Sequence, residues 1–348
     1  MRALTFYLTI LCVILLAFSC KTEVKEQPVI KTDISEFIGQ WTLDIKGGAV
    51  GWLEVRQEDN YIDADLLWSG GSVTPVSSVF LAADRYLVVG MNRDVVRKRG
   101  EDNNPLRVHR FMDVLEITKS SADTISGYRL NPRRSGIGVD SIWFRGIKFP
   151  PVPPAPDLKN LKFGEPVTLF NGKDLSGWRL INEKQTNGFK VVDGALVNDP
   201  VQVEGQPHIS YGNLCTEKEF NDFNLRLEVN IPAGNNSGVY LKGMYEIQVL
   251  DSYKKPLDPH NMGALYSRIK PSVNAEKPAG EWQTLDITLC DRHVNVILNG
   301  VTIIENQPAL GPTGGAIIWD VYAAGPIYLQ GDHGKVSYRN IVLTPIVK

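Results

Sequence analysis

The 348-residue chain balances 37 Lys and Arg against 39 Asp and Glu, for a net charge of −2, and 43% of its residues are apolar. That balance, with no basic stripe and no acidic block, excludes a nucleic-acid partner and a charged tail, while the apolar share suffices for real cores. The four cysteines form no CxxC pair.

Met1-Arg2 is a short basic start, followed by an apolar run over 3–18 that only Thr5, Tyr7 and Thr9 interrupt. Such a segment reads as a secretory signal, residues 1–19, too short and wrongly flanked for a stable membrane span. The run closes in Ala17-Phe18-Ser19-Cys20, a cysteine directly after a small residue. This resembles the lipobox of bacterial lipoproteins, with Ala17 standing where Leu is usual. The expectation is a lipidated Cys20 at the head of a polar tether, residues 20–35, that holds the protein to a membrane of the bacterial cell envelope, facing the periplasm or the cell surface. Plain secretion is the alternative. With Cys12 removed and Cys20 acylated, Cys215 and Cys290 remain. Their strand-like surroundings favour two buried, unpaired thiols, although export permits a disulfide.

The roughly 330 residues that follow exceed one typical domain. An all-β first domain is expected over 36–148, with strands near 39–45, 51–57, 61–68, 76–82, 86–91, 106–118, 124–130 and 140–144. Trp52-Leu53-Glu54-Val55 and Tyr61 to Leu66 show the alternation of half-buried strands. About eight antiparallel strands in so short a span suit a small up-and-down β-barrel. Gly39-Gln40-Trp41 loosely resembles the opening of lipocalin-like barrels, with Trp41 as a core plug or a ligand contact. Arg93, Arg97, Lys98 and Arg99 fall in a Gly/Asn/Asp-rich stretch that reads as a solvated loop, with a rim touching an acidic or sugar partner as the alternative. Five prolines over 150–156 mark a stiff linker, residues 149–162.

From 163 to 348 the chain again reads as strands, with no 3.6-residue apolar period. That many strands without helices imply two packed antiparallel sheets, a jelly-roll β-sandwich. Leu169 to Trp178 (LFNGKDLSGW), Asp222 to Glu228 (DFNLRLE), Asn235 to Gly243 (NNSGVYLKG) and Tyr245 to Asp251 (YEIQVLD) are followed by Gly280-Glu281-Trp282-Gln283, Leu298-Asn299-Gly300, Gly325 to Gly334 (GPIYLQGDHG) and Arg339-Asn340-Ile341. In that order these blocks resemble the 3-keto-disaccharide hydrolase family. The resemblance covers just over half of the chain. It implies a concanavalin-like sandwich acting on 3-keto-glycosides and says little about residues 21–150.

On a strand 245–251, Glu246 and Gln248 share one face while Ile247 and Val249 point inward. Asp251 has the opposite parity and joins that face only through a bulge, or lies on the following loop. Gln at the middle position removes the full carboxylate set of ordinary retaining hydrolysis. In Leu329-Gln330-Gly331-Asp332-His333-Gly334, the glycines permit a tight turn and His333 suits acid/base work near neutral pH. Glu246 and His333 are therefore the candidate catalytic pair. Candidate substrate contacts are Gln248, Asp251, Gln330 and Asp332, together with Asn236, Tyr240 and Lys242 alternating on one strand. Tyr266 and Trp319 are candidates to stack on a sugar ring. His208 and His260 are further polar candidates. His109 and His293 read as structural, and Arg339 as a brace. Glu246, Asp251, Asp332 and His333 together could make a hard-cation site, but no HxH or HExxH spacing supports assigning ligands.

A ketone at sugar C3 acidifies the hydrogen on C2. A base can remove it, the C1 substituent leaves, and water adds back. Glu246 or His333 serves as base and the other as acid, with Gln248, Lys242 or a bound cation on the enolate oxygen. Direct attack of water at C1 is the other route. The competing class is a non-catalytic carbohydrate-binding lipoprotein, since the same sandwich supports lectins. A structural envelope role follows only if the groove is apolar or covered by the first domain.

Overall fold

The computed structural model describes residues 33–83 and 85–348, so the signal segment and Cys20 lie outside the described residues. No α-helix occurs among the described residues. The first domain is one antiparallel sheet of nine strands: β1 (Gly39–Ile45), β2 (Ala49–Gln57), β3 (Ile62–Leu67), β4 (Thr74–Pro75), β5 (Ser78–Ala82), β6 (Tyr86–Arg99), β7 (Pro105–Ser121), β8 (Thr124–Pro132) and β9 (Val139–Lys148). Their spatial order is β4-β3-β2-β1-β9-β8-β7-β6-β5. The two ends of that order are consecutive pieces of one segment. Between them, Val76 N donates to Ala64 O at 3.0 Å and Ser77 N donates to Gly90 O at 2.8 Å. The sheet therefore curls until its ends meet over residues 74–82. Alternating Trp41, Leu43, Leu53, Leu87, Leu115 and Phe144 fill its interior at zero exposure, each worth about 1.5–3 kcal/mol of transfer free energy. Trp41 is a core plug whose indole donates to Phe37 O at 2.9 Å.

Arg93, Arg97, Lys98 and Arg99 do not form a loop; they lie in β6, paired with β7 as far as Arg99 and Pro105. Polar residues on both faces of this long hairpin hide the strand alternation. The side chains find partners across strands: Arg93 meets Asp113 at 3.3 Å and Arg97 Nε meets His109 at 3.2 Å.

The proline-rich segment is strapped to the second domain. Phe149 is buried in the sandwich core. Arg292 lies over the Phe149 ring and donates to the carbonyls of Pro150 and Pro151. Asn306 donates to Pro156 O at 2.9 Å.

The second domain contains β10 (Lys162–Phe163), β11 (Val167–Thr168), β12 (Trp178–Leu180), β13 (Phe189–Val192), β14 (Ala195–Asn198), β15 (Leu214–Phe220) and β16 (Phe223–Asn230). It continues with β17 (Asn236–Leu241), β18 (Tyr245–Leu250), β19 (Trp282–Cys290), β20 (His293–Leu298), β21 (Val301–Pro308), β22 (Gly325–Leu329) and β23 (Val336–Val347). Nine of these strands form one antiparallel sheet centred on β23, β16 and β19, and five form a second, in the order β12-β15-β22-β17-β18. Leu225, Leu227, Ile287 and Leu343 from the first meet Val239, Leu241, Ile247, Val249, Ile327 and Leu329 from the second. The two sheets make a jelly-roll sandwich around one dry core. Cys215 and Cys290 are buried and free. Arg339 braces the nine-stranded sheet, bonded to Glu228 at 2.6 Å and lying over Trp282.

Candidate active site

Period-two alternation on the five-stranded sheet sends Tyr245, Ile247 and Val249 into the core and leaves Glu246 and Gln248 on the opposite face. The cross-strand register then builds a row. Tyr328 of β22 is paired with Tyr240 of β17, and Tyr240 with Glu246 of β18. The two tyrosine rings stack, with centroids 3.8 Å apart and planes 13° apart, an arrangement worth about 0.5–1.5 kcal/mol beyond area burial.

Glu246 is only 3% exposed. Burial pushes its carboxyl up to about 8, against the opposing hydrogen bond from Tyr240. Burial likewise holds the Tyr240 and Tyr328 phenols neutral. The hydroxyl of Tyr240 lies 2.7 Å from Glu246 Oε2 and 2.6 Å from Gly314 O. A phenol carries one hydrogen, and a carbonyl only accepts. Both contacts are satisfied when the tyrosine donates to Gly314 O and a protonated Glu246 donates to the tyrosine. Proton counting and burial thus agree on a neutral acid at rest.

This row floors a cavity of about 260 Å³. Asn213, Asn236, Gln330, Asp332 and His333 line it along the strand ends. Gly70, Gly71, Tyr266, Gly314 and Gly315 line the other side. Asn236 Oδ1 and Gln330 Oε1 are buried acceptors without a hydrogen-bond partner. An unmet buried acceptor costs about 1–3 kcal/mol, so these two positions favour a ligand that brings donors, as sugar hydroxyls do. Asp332 Oδ1 sits 2.6 Å from His333 Nδ1 and leaves Nε2 as the free ring nitrogen.

A larger cavity of about 720 Å³ lies between the linker and the nine-stranded sheet. Of the three acids in its lining, Asp157, Asp286 and Glu305, Asp286 is already paired with Arg226 at 2.9 Å and Asp157 accepts from Lys159 N and Asn160 Nδ2. The smaller cavity is the stronger candidate because it holds the perturbed acid and two unmet acceptors, against the single Asn306 Oδ1 in the larger.

Glycines make room for this arrangement. A Cβ on Gly238 would stand 2.3 Å from Glu246 Oε1, and one on Gly331 would stand 1.9 Å from Gly212 O. Neither Gly331 nor Gly334 has a positive φ; what they permit is close approach of neighbouring chain. Gly238→Ala is expected to push Glu246 off Tyr240, costing about 1–3 kcal/mol of stability by overpacking and roughly 10–100-fold in turnover once the carboxyl is misplaced. Thermal unfolding and steady-state kinetics check both effects.

Several expected contacts lie elsewhere. Lys242 follows β17 in a left-handed turn with φ of 55°, which ends the strand alternation. Its amine instead donates to Asn221 Oδ1 and Val321 O at 2.6 and 2.7 Å. Asp251 lies just past β18 and accepts from Gly234 N at 2.9 Å. It does not join Glu246, Asp332 and His333 in a cation site, and the described residues hold no group of three or more His, Cys, Asp or Glu side chains suited to a metal. Trp319 is covered by the Arg145 guanidinium, 5.2 Å above its ring, rather than open to a sugar. His208 is exposed on the 199–213 loop, outside the cavity lining. Gln248 is 2% exposed with Oε1 unpartnered, but its main chain is paired with Gly263 and Ala264 and it does not line the cavity.

The sequence reading missed Tyr328, although the alternation of Ile327, Tyr328, Leu329 and Gln330 carries its signal. It also missed Gly314, Gly315 and the Gly70-Gly71 loop, which no local pattern connects to the site.

The pattern of the 3-keto-alpha-glucoside-1,2-lyase-like domain matches residues 165–344. A candidate glycosyl hydrolase from Parabacteroides distasonis ATCC 8503 is 32% identical, over 56% of this chain and 92% of that one, with a TM-score of 0.42. Another from the same organism is 25% identical, over 52% of this chain and 100% of that one, with a TM-score of 0.39. A laminarinase from Flavobacterium sp. UMI-01 is 14% identical, over 53% of this chain and 100% of that one, with a TM-score of 0.33. No curated protein matches. With the family pattern covering 165–344, this chain belongs to the family of 3-keto-alpha-glucoside-1,2-lyase-like domains and is carbohydrate-active.

Proposed function

We propose that this chain cleaves the glycosidic bond of 3-keto-glycosides, with Glu246 as the base that removes the C2 proton. The carrying observation is a buried carboxyl at about pKa 8 on the floor of a cavity with two unmet acceptors. A carboxylate of raised pKa is a stronger base once ionised, and it titrates near the working pH. The C2–H bond breaks, its electrons form the enolate, and the C1 substituent leaves as an alcohol. Water then adds across the new double bond, so the net change is hydrolysis. With Lys242 turned away and the single protons of Tyr240 and Tyr328 given to Gly314 O and Gly315 O, the side-chain amides of Asn236 and Gln330 in the cavity lining are the donors that hold the enolate oxygen. His333, oriented by Asp332, protonates the leaving oxygen.

The test incubates the mature chain with 3-keto-glucosides and with their unoxidised parents, with and without chelator. Release of aglycone from the keto sugars alone supports the reading. Binding without release from either set replaces it with a carbohydrate-binding module.

We further propose that Cys20 carries a lipid and holds the protein to the bacterial envelope. Cys20→Ser is then expected to move the protein from the detergent-extracted membrane fraction to the soluble fraction. An unchanged distribution rejects the anchor.

A further inference from the structure

The first domain reaches into the cavity. Its loop between β3 and β4 is held in a strained shape at Ser69, which is left-handed at φ of 62°, beside Gly71, which takes a φ of 74° freely. Ser69 O accepts from Gly315 N at 3.2 Å. A Cβ on Gly314 would stand 2.1 Å from Gly71 O, so the two glycine backbones touch with no room between them. Val73 N donates to Ser267 Oγ at 3.0 Å. Nearby, Arg268 stacks 4.3 Å over the Trp52 indole and donates to Pro312 O. Strain in a backbone persists only where its surroundings over-determine it, and these contacts do so.

Ser72 extends this contact to side chains. Its hydroxyl lies 2.8 Å from His260 Nε2 and 3.4 Å from the Tyr266 hydroxyl. Asp258 Oδ1 holds the other ring nitrogen of His260 at 2.6 Å, and the imidazole meets the Tyr266 ring edge-on, with centroids 4.9 Å apart. Tyr266 N in turn donates to Glu246 O at the outer edge of β18. The side of the cavity away from His333 is therefore a wall made by both domains.

We infer that this wall makes the cleft a dead end that selects glycosides whose oxidised sugar is the terminal unit, with free hydroxyls on the edge opposite the scissile bond. The inference rests on the proposed chemistry at Glu246. A volume of about 260 Å³ is below the usual range for drug-sized ligands, roughly 300–1,000 Å³, and suits one ring rather than a threaded chain. Ser72 and His260 are positioning residues: they hold Tyr266 against the bound ring and take no part in bond cleavage.

The experiment uses the full mature chain, wild type and Ser72→Ala, on two substrates. One is a disaccharide oxidised at C3 of its terminal unit. The other is a trisaccharide oxidised at C3 of its middle unit. Wild type is expected to prefer the first by roughly 100-fold or more in kcat/KM, the discrimination that about 3 kcal/mol of lost contacts gives. Ser72→Ala is expected to raise KM for the disaccharide roughly 10-fold with kcat changed less than about two-fold, and Ser72→Thr is expected to restore it. Equal turnover of the two substrates overturns the dead end. A loss confined to kcat in Ser72→Ala overturns the positioning role. If wild type turns over neither substrate, the proposed chemistry has failed instead. Calorimetry with the unoxidised disaccharide then reads the wall by itself: binding roughly 10-fold weaker in Ser72→Ala keeps it, and unchanged binding rejects it.

Discussion

Replacing Glu246 by Gln is expected to abolish turnover while making the protein more stable at alkaline pH. The amide keeps the shape and can still donate to Tyr240, so the fold survives, but it cannot take a proton from carbon. Loss of a general base costs roughly 10²–10⁴-fold, and a carbon acid belongs at the upper end. The stability effect follows from linkage. The carboxyl titrates at 4.5 when unfolded and at about 8 when folded. Its contribution is fully present below about pH 4.5 and is lost as pH rises to about 8, because the unfolded chain ionises first. At roughly 1.4 kcal/mol per pH unit, the loss amounts to about 3–5 kcal/mol. Glu246→Gln escapes it. The difference in unfolding free energy between variant and wild type should be flat at low pH, grow through the neutral range and level off above about pH 8. A variant no more stable than wild type at pH 8.5 would falsify the buried neutral acid.

The same group sets the pH profile. Wild-type turnover is expected to rise tenfold per pH unit below about pH 8 and flatten above it, since only the ionised carboxylate is a base. Once Glu246 is ionised, the Tyr240 hydroxyl turns its proton from Gly314 O to the carboxylate, and that bond lowers the pKa of Glu246. Tyr240→Phe should therefore move this limb to higher pH as well as reduce the plateau.

The second large effect is expected at His333. His333→Ala removes the proposed acid for the leaving oxygen. For a sugar leaving group, a poor one, the loss should be about 10²–10³-fold in kcat. For a nitrophenolate, which departs without a proton, it should be less than about tenfold. His333 is on the surface turn 330–334, 42% exposed in its side chain, so truncation should leave Tm nearly unchanged. An equal loss with both leaving groups would show that His333 binds or positions the substrate and is not its acid.

The first domain is more than a spacer. Its 69–73 loop touches the sandwich beside Glu246, through contacts that residues more than 180 positions apart must supply. The cavity is walled by the first domain but not sealed, and its lining is polar. That argues against a purely structural envelope role.

Local sequence pattern is enough for the all-β class, the strand alternation that separates Glu246 from Ile247 and Val249, and the family blocks that point to sugars. These are local properties: a period of two sorts side chains between two faces whatever the strand pairs with. It was also enough to bring Asn236, Tyr240, Gln330, Asp332 and His333 under suspicion, because polar residues on apolar strands and glycine-flanked turns are visible without coordinates. The rest needed the folded chain. Register set Tyr328 beside Tyr240 and Tyr240 beside Glu246, and register is a property of strand pairs. A left-handed residue at 242 turned Lys242 away, and a loop in place of a bulge removed Asp251. Trp319 became the support of an arginine instead of a ligand platform. The raised pKa of Glu246 comes from burial under segments far away in the chain, and the wall at Ser72 from the docking of two domains. Desolvation and long-range contact depend on what the folded chain brings together, and no window of sequence records either.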